Sequence, residues 1–218
     1  MNEITLAIES AVGGGSLALI VDGKTVDAWH GGGQRSRSEE LLAEIAQMLD
    51  RAGVERSRLS RIAVSNGPGS YTGIRIGLAT AMGLGRALSV PCVGIFLLNA
   101  LELMGHSVGE RIVVVPMGRS GFCWKYTGPG ASAASGSVFS GSLEELVKFA
   151  CAYPNAHMAA QTDAFNAIAN AAKMPASSNV IDLGRGLAEA VGFASTSMDD
   201  GLEPFYIRDT PPNASMEI

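Results

Sequence analysis

Cysteine is scarce in this chain, and the three present, Cys92, Cys123 and Cys151, are odd in number, widely spaced and set among apolar neighbours. That excludes a disulfide framework and predicts buried free thiols in a reducing compartment. Histidine is equally scarce. His30, His106 and His157 stand alone, with no HxxxH or CxxC, so no convergent ligand set for zinc or iron is present and no metal is expected. Charge is low as well: 17% of residues are Asp, Glu, Lys or Arg, against about 25% in ordinary globular chains, and the net charge is −5. The twelve Arg and four Lys are scattered. No basic stripe marks direct nucleic-acid contact. Long apolar runs are missing too; the longest, Val93 to Leu98, is far short of the roughly 18 to 20 residues of a membrane span. The Met1-Asn2-Glu3 start lacks a basic leader, so the expectation is a soluble, cytosolic protein without membrane contact.

What the chain does have is apolar mass and glycine. Of 218 residues, 47% are hydrophobic and 27 are glycine, too apolar for disorder and enough for one large domain or two small lobes. Three strands open the fold: Glu3 to Glu9 with alternating apolar and polar residues, Ser16 to Val21, and Thr25 to Trp29, hinged at Gly13-Gly14-Gly15 and Asp22-Gly23. Ser36 and Glu39 have capping-box spacing, and Leu41, Leu42, Ile45, Met48, Leu49 and Ala52 then recur at helical period until Gly53. A strand over Arg61 to Ser65, a turn at Asn66-Gly67-Pro68-Gly69, a helix from about Gly73 to Leu88, a strand at Pro91 to Ile95 and a helix over Leu97 to Met104 complete a βββαβαβα order. The second half is a looser echo. It has strands at Ile112 to Val115, Phe122 to Tyr126 and near His157 to Ala160, an exposed Gly/Ala/Ser-rich connection from Thr127 to Ser137, and helices near Leu143 to Ala152, Asp163 to Lys173 and Leu183 to Phe193.

Three features could carry function. The segment Gly67-Pro68-Gly69-Ser70-Tyr71-Thr72-Gly73-Ile74-Arg75 joins a strand to a helix, where bare amides and the helix dipole favour an anion. It lacks the lysine of a phosphate loop and does not match G-x-G-x-x-G, so Ser70 or Thr72 as helix cap, with glycines shaping the turn, is the competing reading. Next, Gly73, Gly77, Ala81 and Gly85 recur every four residues and form a nearly bare helix face. Gly77, Gly83 and Gly85 cost about 3 kcal/mol of helix propensity, which close approach of another element must offset. That element is either this chain's own sheet or Leu41 to Ala52 helix, or a helix of a second protein. Finally, Asp199 and Asp200 form an acidic pair that reads as a solvated turn. No G-x-S-x-G elbow and no sequence-identifiable Cys–His pair offers a nucleophile.

The stretch Gly67-Pro68-Gly69-Ser70-Tyr71-Thr72-Gly73-Ile74-Arg75-Ile76-Gly77 resembles the GPGS[FY]TG[IL]RIG motif of the TsaB (YeaZ) family. Ser36 to Leu42 is similar to that family's helix-opening segment, Pro91 to Gly94 to its following strand, and Pro204-Phe205-Tyr206-Ile207-Arg208 to its closing P-x-Y-[IL]-R. The similarity is firm over about residues 1–105, patchy over 110–200 and short at the C-terminus. It implies an actin-like, ribonuclease-H-like α/β fold of two lobes, 1–105 and a smaller 106–218 whose C-terminal segment returns to the first.

The resemblance further implies a non-catalytic scaffold subunit of the bacterial tRNA threonylcarbamoyl-adenosine (t6A) complex. Such a subunit binds and activates the TsaD catalytic paralogue, is joined by the ATPase TsaE, forms a homodimer when alone, and meets tRNA only through the complex. The implied interface residues are Leu41, Ile45, Met48 and Leu49 on one helix and Ile74, Gly77, Leu78, Ala81 and Gly85 on the next. On that reading, Leu at Gly77 or Ala81 abolishes association and leaves the monomer folded. No cofactor is required by this chain, with ATP or ADP allowed at an intersubunit surface. Leu97 and Leu101 stand where the catalytic paralogue has its HxxxH pair. The chain departs from the family pattern at Glu9-Ser10-Ala11-Val12, Arg37, Met117-Gly118-Arg119 and Phe122. The alternative is a small actin-like ATP-binding phosphotransferase or ATPase acting alone, with Gly13 to Ser16 and Gly67 to Gly73 facing one cleft.

Overall fold

The computed structural model describes residues 2–31, 37–104, 109–117, 121–128, 135–171, 180–184 and 186–206. The chain divides into a unit of residues 1–100 and 186–206 and a unit of residues 101–185 with 207–218. The first is built on a five-stranded sheet of β1 (Ile4–Glu9), β2 (Ser16–Val21), β3 (Lys24–His30), β4 (Arg61–Gly67) and β5 (Cys92–Phe96), in the order β3-β2-β1-β4-β5. β1 runs antiparallel to β2 and parallel to β4; β2 is antiparallel to β3, and β4 parallel to β5. The helices are α1 (Arg37–Arg51), α2 (Tyr71–Leu88) and α6 (Ala188–Ala194).

Register shows which helix covers which face. Ile8 pairs with Val64, and a Cβ on Gly77 of α2 would meet Val64, so α2 lies on the face of Ile8 and Val64. Thr5 pairs with Ile20, and a Cβ on Gly192 of α6 would meet Ala7 and Ile20, so α6 lies on the opposite face. The apolar and polar alternation over Glu3 to Glu9 therefore does not mark a solvated face. All six residues of β1 are buried, including Thr5 and Glu9, because α6 covers the side the polar residues occupy. The sequence order puts α6 in the second half, yet it packs on the first sheet.

The other unit contains β6 (Arg111–Met117), β7 (Gly121–Thr127), β8 (Val138–Gly141), β9 (His157–Ala160) and β10 (Val180–Asp182), ordered β10-β9-β6-β7-β8. Its connectivity repeats that of the first sheet, with β6 antiparallel to β7, β7 to β8, and β6, β9 and β10 parallel. One face, carrying Ile112, Val114, Trp124, Tyr126 and Met158, packs against Leu146 and Ala150 of α4 (Leu143–Ala152) and Ala164 and Ile168 of α5 (Thr162–Ala169). Phe122 joins this cluster. α3 (Leu97–Met104) links the two units in the chain.

The helix limits differ from expectation at three places. α2 starts at Tyr71, two residues early, because Ser70 caps it by accepting from Gly73 N. α5 and α6 are shorter than the apolar pattern suggested. β8 and β10 are four and three residues long, too short to show alternation. Ser36, the Glu39 side chain, His106, Gly118, Arg119 and the Ile207-Arg208 end lie outside what is described, as does much of the Thr127 to Ser137 connection. A capping box is present at Ser142 and Glu145 instead.

Two glycines make this packing testable. A Cβ on Gly94 would overlap the backbone carbonyl of Gly201, whereas a Cβ on Gly83 meets nothing. Gly94→Ala is expected to destabilise by about 1–3 kcal/mol, since no rotamer change relieves a backbone clash. Gly83→Ala is expected to stabilise by up to about 1 kcal/mol. Urea denaturation of the two variants checks both signs.

Candidate functional site

The motif segment leaves β4 through a cis Gly67–Pro68 peptide and turns into α2. Gly67 has φ 122° and Gly69 φ 154°, where L side chains are strained, and the space beside each is filled: Phe205 O by Gly67, Ala11 by Gly69. Four of its amides bond within the chain. Gly67 N donates to Ser65 Oγ (3.3 Å), Ser70 N to Ala11 O (2.8 Å), Gly73 N to Ser70 Oγ (3.4 Å) and Ile74 N to Ser70 O (2.9 Å). Pro68 is buried and Thr72 exposed. Ser70 caps α2 through its Oγ, as the helix-cap reading has it.

The first turn is closed from within. Glu9 is fully buried, and its Oε1 accepts from Ala11 N (2.6 Å) and Val12 N (3.0 Å). The chain thus supplies its own acceptor to those loop amides. Beside it, Ser10 Oγ donates to Gly73 O (2.7 Å), and a Cβ at Gly77 would collide with that hydroxyl.

The acidic pair is exposed, and it is also tied to a strand. Asp199 Oδ1 accepts from Gly94 N (3.3 Å) and Gly201 N (3.1 Å), and Asp200 Oδ2 accepts from Phe96 N (2.8 Å) while Asp200 N donates to Gly94 O (2.7 Å). β5 is the sheet's edge strand, and its open hydrogen-bonding groups are what hold the pair. The chain continues as a strap across the motif. Asn66 Nδ2 donates to Gly201 O (2.9 Å), Phe205 N to Asn66 O (2.8 Å), and the Phe205 ring meets Phe96 edge-on with centroids 4.7 Å apart. Tyr206 Oη accepts from Arg75 Nε (2.8 Å), and this bond raises the Arg75 pKa further. Arg75 is therefore engaged by Tyr206 rather than turned into the loop. No spacing rule could have joined 66 to 201 or 75 to 206, although the closing P-x-Y motif was visible.

The residues expected at an interface are buried within this chain. Leu41, Ile45, Met48, Leu49, Ile74, Leu78 and Ala81 belong to this chain's own core, as do Gly77 and Gly85. Gly77 admits Ser10, and Gly85 admits Cys92, whose thiol donates to Ala81 O (3.1 Å). The small-residue face thus presses on the first sheet, the plainer of the two readings. Apolar exposure lies elsewhere on the same helices, at Leu42 (52%), Tyr71 (53%) and Met82 (51%). Ala79 and Gly83 are exposed with Met82.

Among the described residues no group of His, Cys, Asp and Glu could hold a metal. Leu97 and Leu101 lie one turn apart on α3, fully buried and without ligating atoms. The expectation of three buried thiols holds for Cys123, while Cys92 is half-buried and Cys151 exposed. Burial pushes the Cys92 and Cys123 thiols up, away from the thiolate a nucleophile needs. No described helix is long and apolar enough to cross a membrane.

The Glu9 contact is testable by stability. Glu9→Ala leaves two buried amides without their acceptor and is expected to cost about 2–4 kcal/mol, with Glu9→Gln costing less because it keeps an oxygen at Oε1. Chemical denaturation of both variants measures the difference.

A family model described as TsaD, tRNA N6-adenosine threonylcarbamoyltransferase, matches residues 32–178. An uncharacterized protein of Mycobacterium tuberculosis is 30% identical over 126 residues, 55% of this chain and 56% of that protein. The tRNA threonylcarbamoyladenosine biosynthesis protein TsaB of Escherichia coli is 34% identical over 90 residues, 41% of this chain and 38% of its own. The matched part thus spans little more than half of the mycobacterial relative. YeaZ from Pseudomonas aeruginosa superposes with a TM-score of 0.67 at 20% identity, covering 94% of this chain and all of that one. That likeness concerns the fold, the actin-like, ribonuclease-H-like α/β class that the repeated sheet topology also displays. With two thirds of its length matched by the family model, the chain belongs to the TsaD (tRNA N6-adenosine threonylcarbamoyltransferase) family.

Proposed function

We propose that this chain is a non-catalytic scaffold subunit in t6A synthesis that binds and activates a TsaD-like catalytic protein, with a TsaE-like ATPase joining and tRNA met through the complex. The observation that carries the reading is the outer side of α2. Gly77 and Gly85 are explained by contacts inside the chain, but Gly83 is not: it sits in mid-helix, exposed, beside Met82 and Ala79, with open space where a Cβ would be. A mid-helix glycine costs about 1 kcal/mol against alanine, and close approach of a partner helix supplies a reason for it. The non-catalytic part of the reading draws on Leu97 and Leu101, which cannot ligate a metal, and on thiols held protonated by burial. The partner face is thus assigned to the exposed side of α1 and α2, not to their buried residues.

The ATP-binding alternative loses support at Glu9, whose carboxylate takes the amides a phosphate would need. Nucleotide at an intersubunit surface, a homodimer in isolation and a cytoplasmic location remain parts of the same reading.

Co-purification with the TsaD-like protein of the same organism, followed by threonylcarbamoyl transfer with and without this chain, tests the proposal. A stable complex whose activity depends on this chain is expected; no complex under several salt and nucleotide conditions rejects it. Gly83→Leu and Met82→Glu should each weaken the complex at least tenfold without shifting the melting temperature downward by more than a few degrees. Gly77→Leu is expected instead to destabilise the monomer, because Ser10 occupies that space.

A further inference from the structure

The exposed Tyr71 and Arg75 and the half-buried Tyr206 form a pile at the start of α2. The Arg75 guanidinium carbon lies 4.0 Å above the Tyr71 ring and 5.7 Å from the Tyr206 ring, and the two rings are 4.7 Å apart. The guanidinium lies over the Tyr71 ring, and the bond from Nε to Tyr206 Oη anchors it there. The two terminal nitrogens then form an edge directed away from Nε. Among the described residues, no carboxylate is within ion-pair distance of Arg75. An arginine held in this way has lost much of its rotamer freedom before any ligand arrives, and its remaining donors match the two oxygens of a carboxylate.

We infer that the Tyr71–Arg75–Tyr206 pile receives an Asp or Glu side chain of the partner protein, which makes the C-terminal strap part of the docking surface. The inference rests on the scaffold reading above and adds to it the chemistry of one contact. Tyrosine and arginine are the residue types that dominate binding energy at interfaces. A nucleic-acid phosphate is the less favoured anion, since the chain carries a net charge of −5 and its basic residues are scattered. A second copy is also less favoured. α2 contains Arg75 and Arg86, eleven residues or about 16 Å apart and both exposed, and no acidic residue, so two α2 helices meeting across a two-fold bring like charges together. A different protein carrying an acidic side chain meets no such penalty.

The test is equilibrium binding to the TsaD-like subunit at several salt concentrations for the wild type, Arg75→Ala, Arg75→Lys, Tyr206→Phe and the control Arg58→Ala. Arg75→Ala is expected to raise Kd tenfold to a hundredfold and to reduce the salt dependence of binding. Arg75→Lys should not restore affinity, because an ammonium neither stacks nor forks, and Tyr206→Phe should raise Kd severalfold at an unchanged melting temperature. Arg58→Ala should bind as wild type. If the wild type binds and Arg75→Ala binds equally well with the same salt dependence, this inference is overturned and the scaffold reading survives. If the wild type itself does not bind, the scaffold reading fails and takes this contact with it. Loss of self-association or of tRNA binding in Arg75→Ala, with partner binding intact, assigns the pile to another occupant and overturns it as well.

Discussion

Edge strand β5 exposes backbone groups that need partners, and the carboxylates of Asp199 and Asp200 together with the Asp200 amide satisfy three of them. The conformation of the motif depends on that clamp. Once residues 199–201 are held along β5, Gly201 O receives the Asn66 amide, Phe205 reaches both Asn66 and Phe96, and Tyr206 arrives over Tyr71 and Arg75. Each contact is modest, near 1 kcal/mol for a neutral hydrogen bond and somewhat more for those to ionised carboxylates. They act in series along eight residues, so the last ones are ordered only because the first ones are.

The same economy of space governs α2. Its inner face is stripped to glycine and alanine because Ser10 and Cys92 must enter between the helix and the sheet. The loss of helix propensity is offset by this approach and by burial of Ile74 and Leu78. Its outer face carries cations, methionine and a glycine that nothing in the chain explains. One helix therefore holds the first unit together with one side and leaves Met82 and Gly83 exposed on the other. In the same way Glu9, buried and turned back on its own loop, holds the first turn by accepting from Ala11 N and Val12 N.

The order of strands and helices in the first half was legible in local pattern, since α3 begins and ends where its apolar residues do, and Ser70 and Gly53 mark helix ends by ordinary capping chemistry. The motif from Gly67 to Gly77 and the closing Pro204-Phe205-Tyr206 were legible as well. Their meeting was not, because periodicity carries no information about residues separated by more than 130 positions. β8 and β10 were illegible for another reason: strands of four and three residues contain too few alternations to stand out.

By itself the sequence determined the α/β class and the family, because these follow from local propensity, motif and composition. Only the tertiary structure decided which side of each helix is available. A repeat of small residues looks the same whether it admits the chain's own serine or a foreign helix, and an acidic pair looks the same whether or not it bonds to an edge strand. Those choices depend on which groups need a partner and which space is already filled, and both are properties of the packed chain.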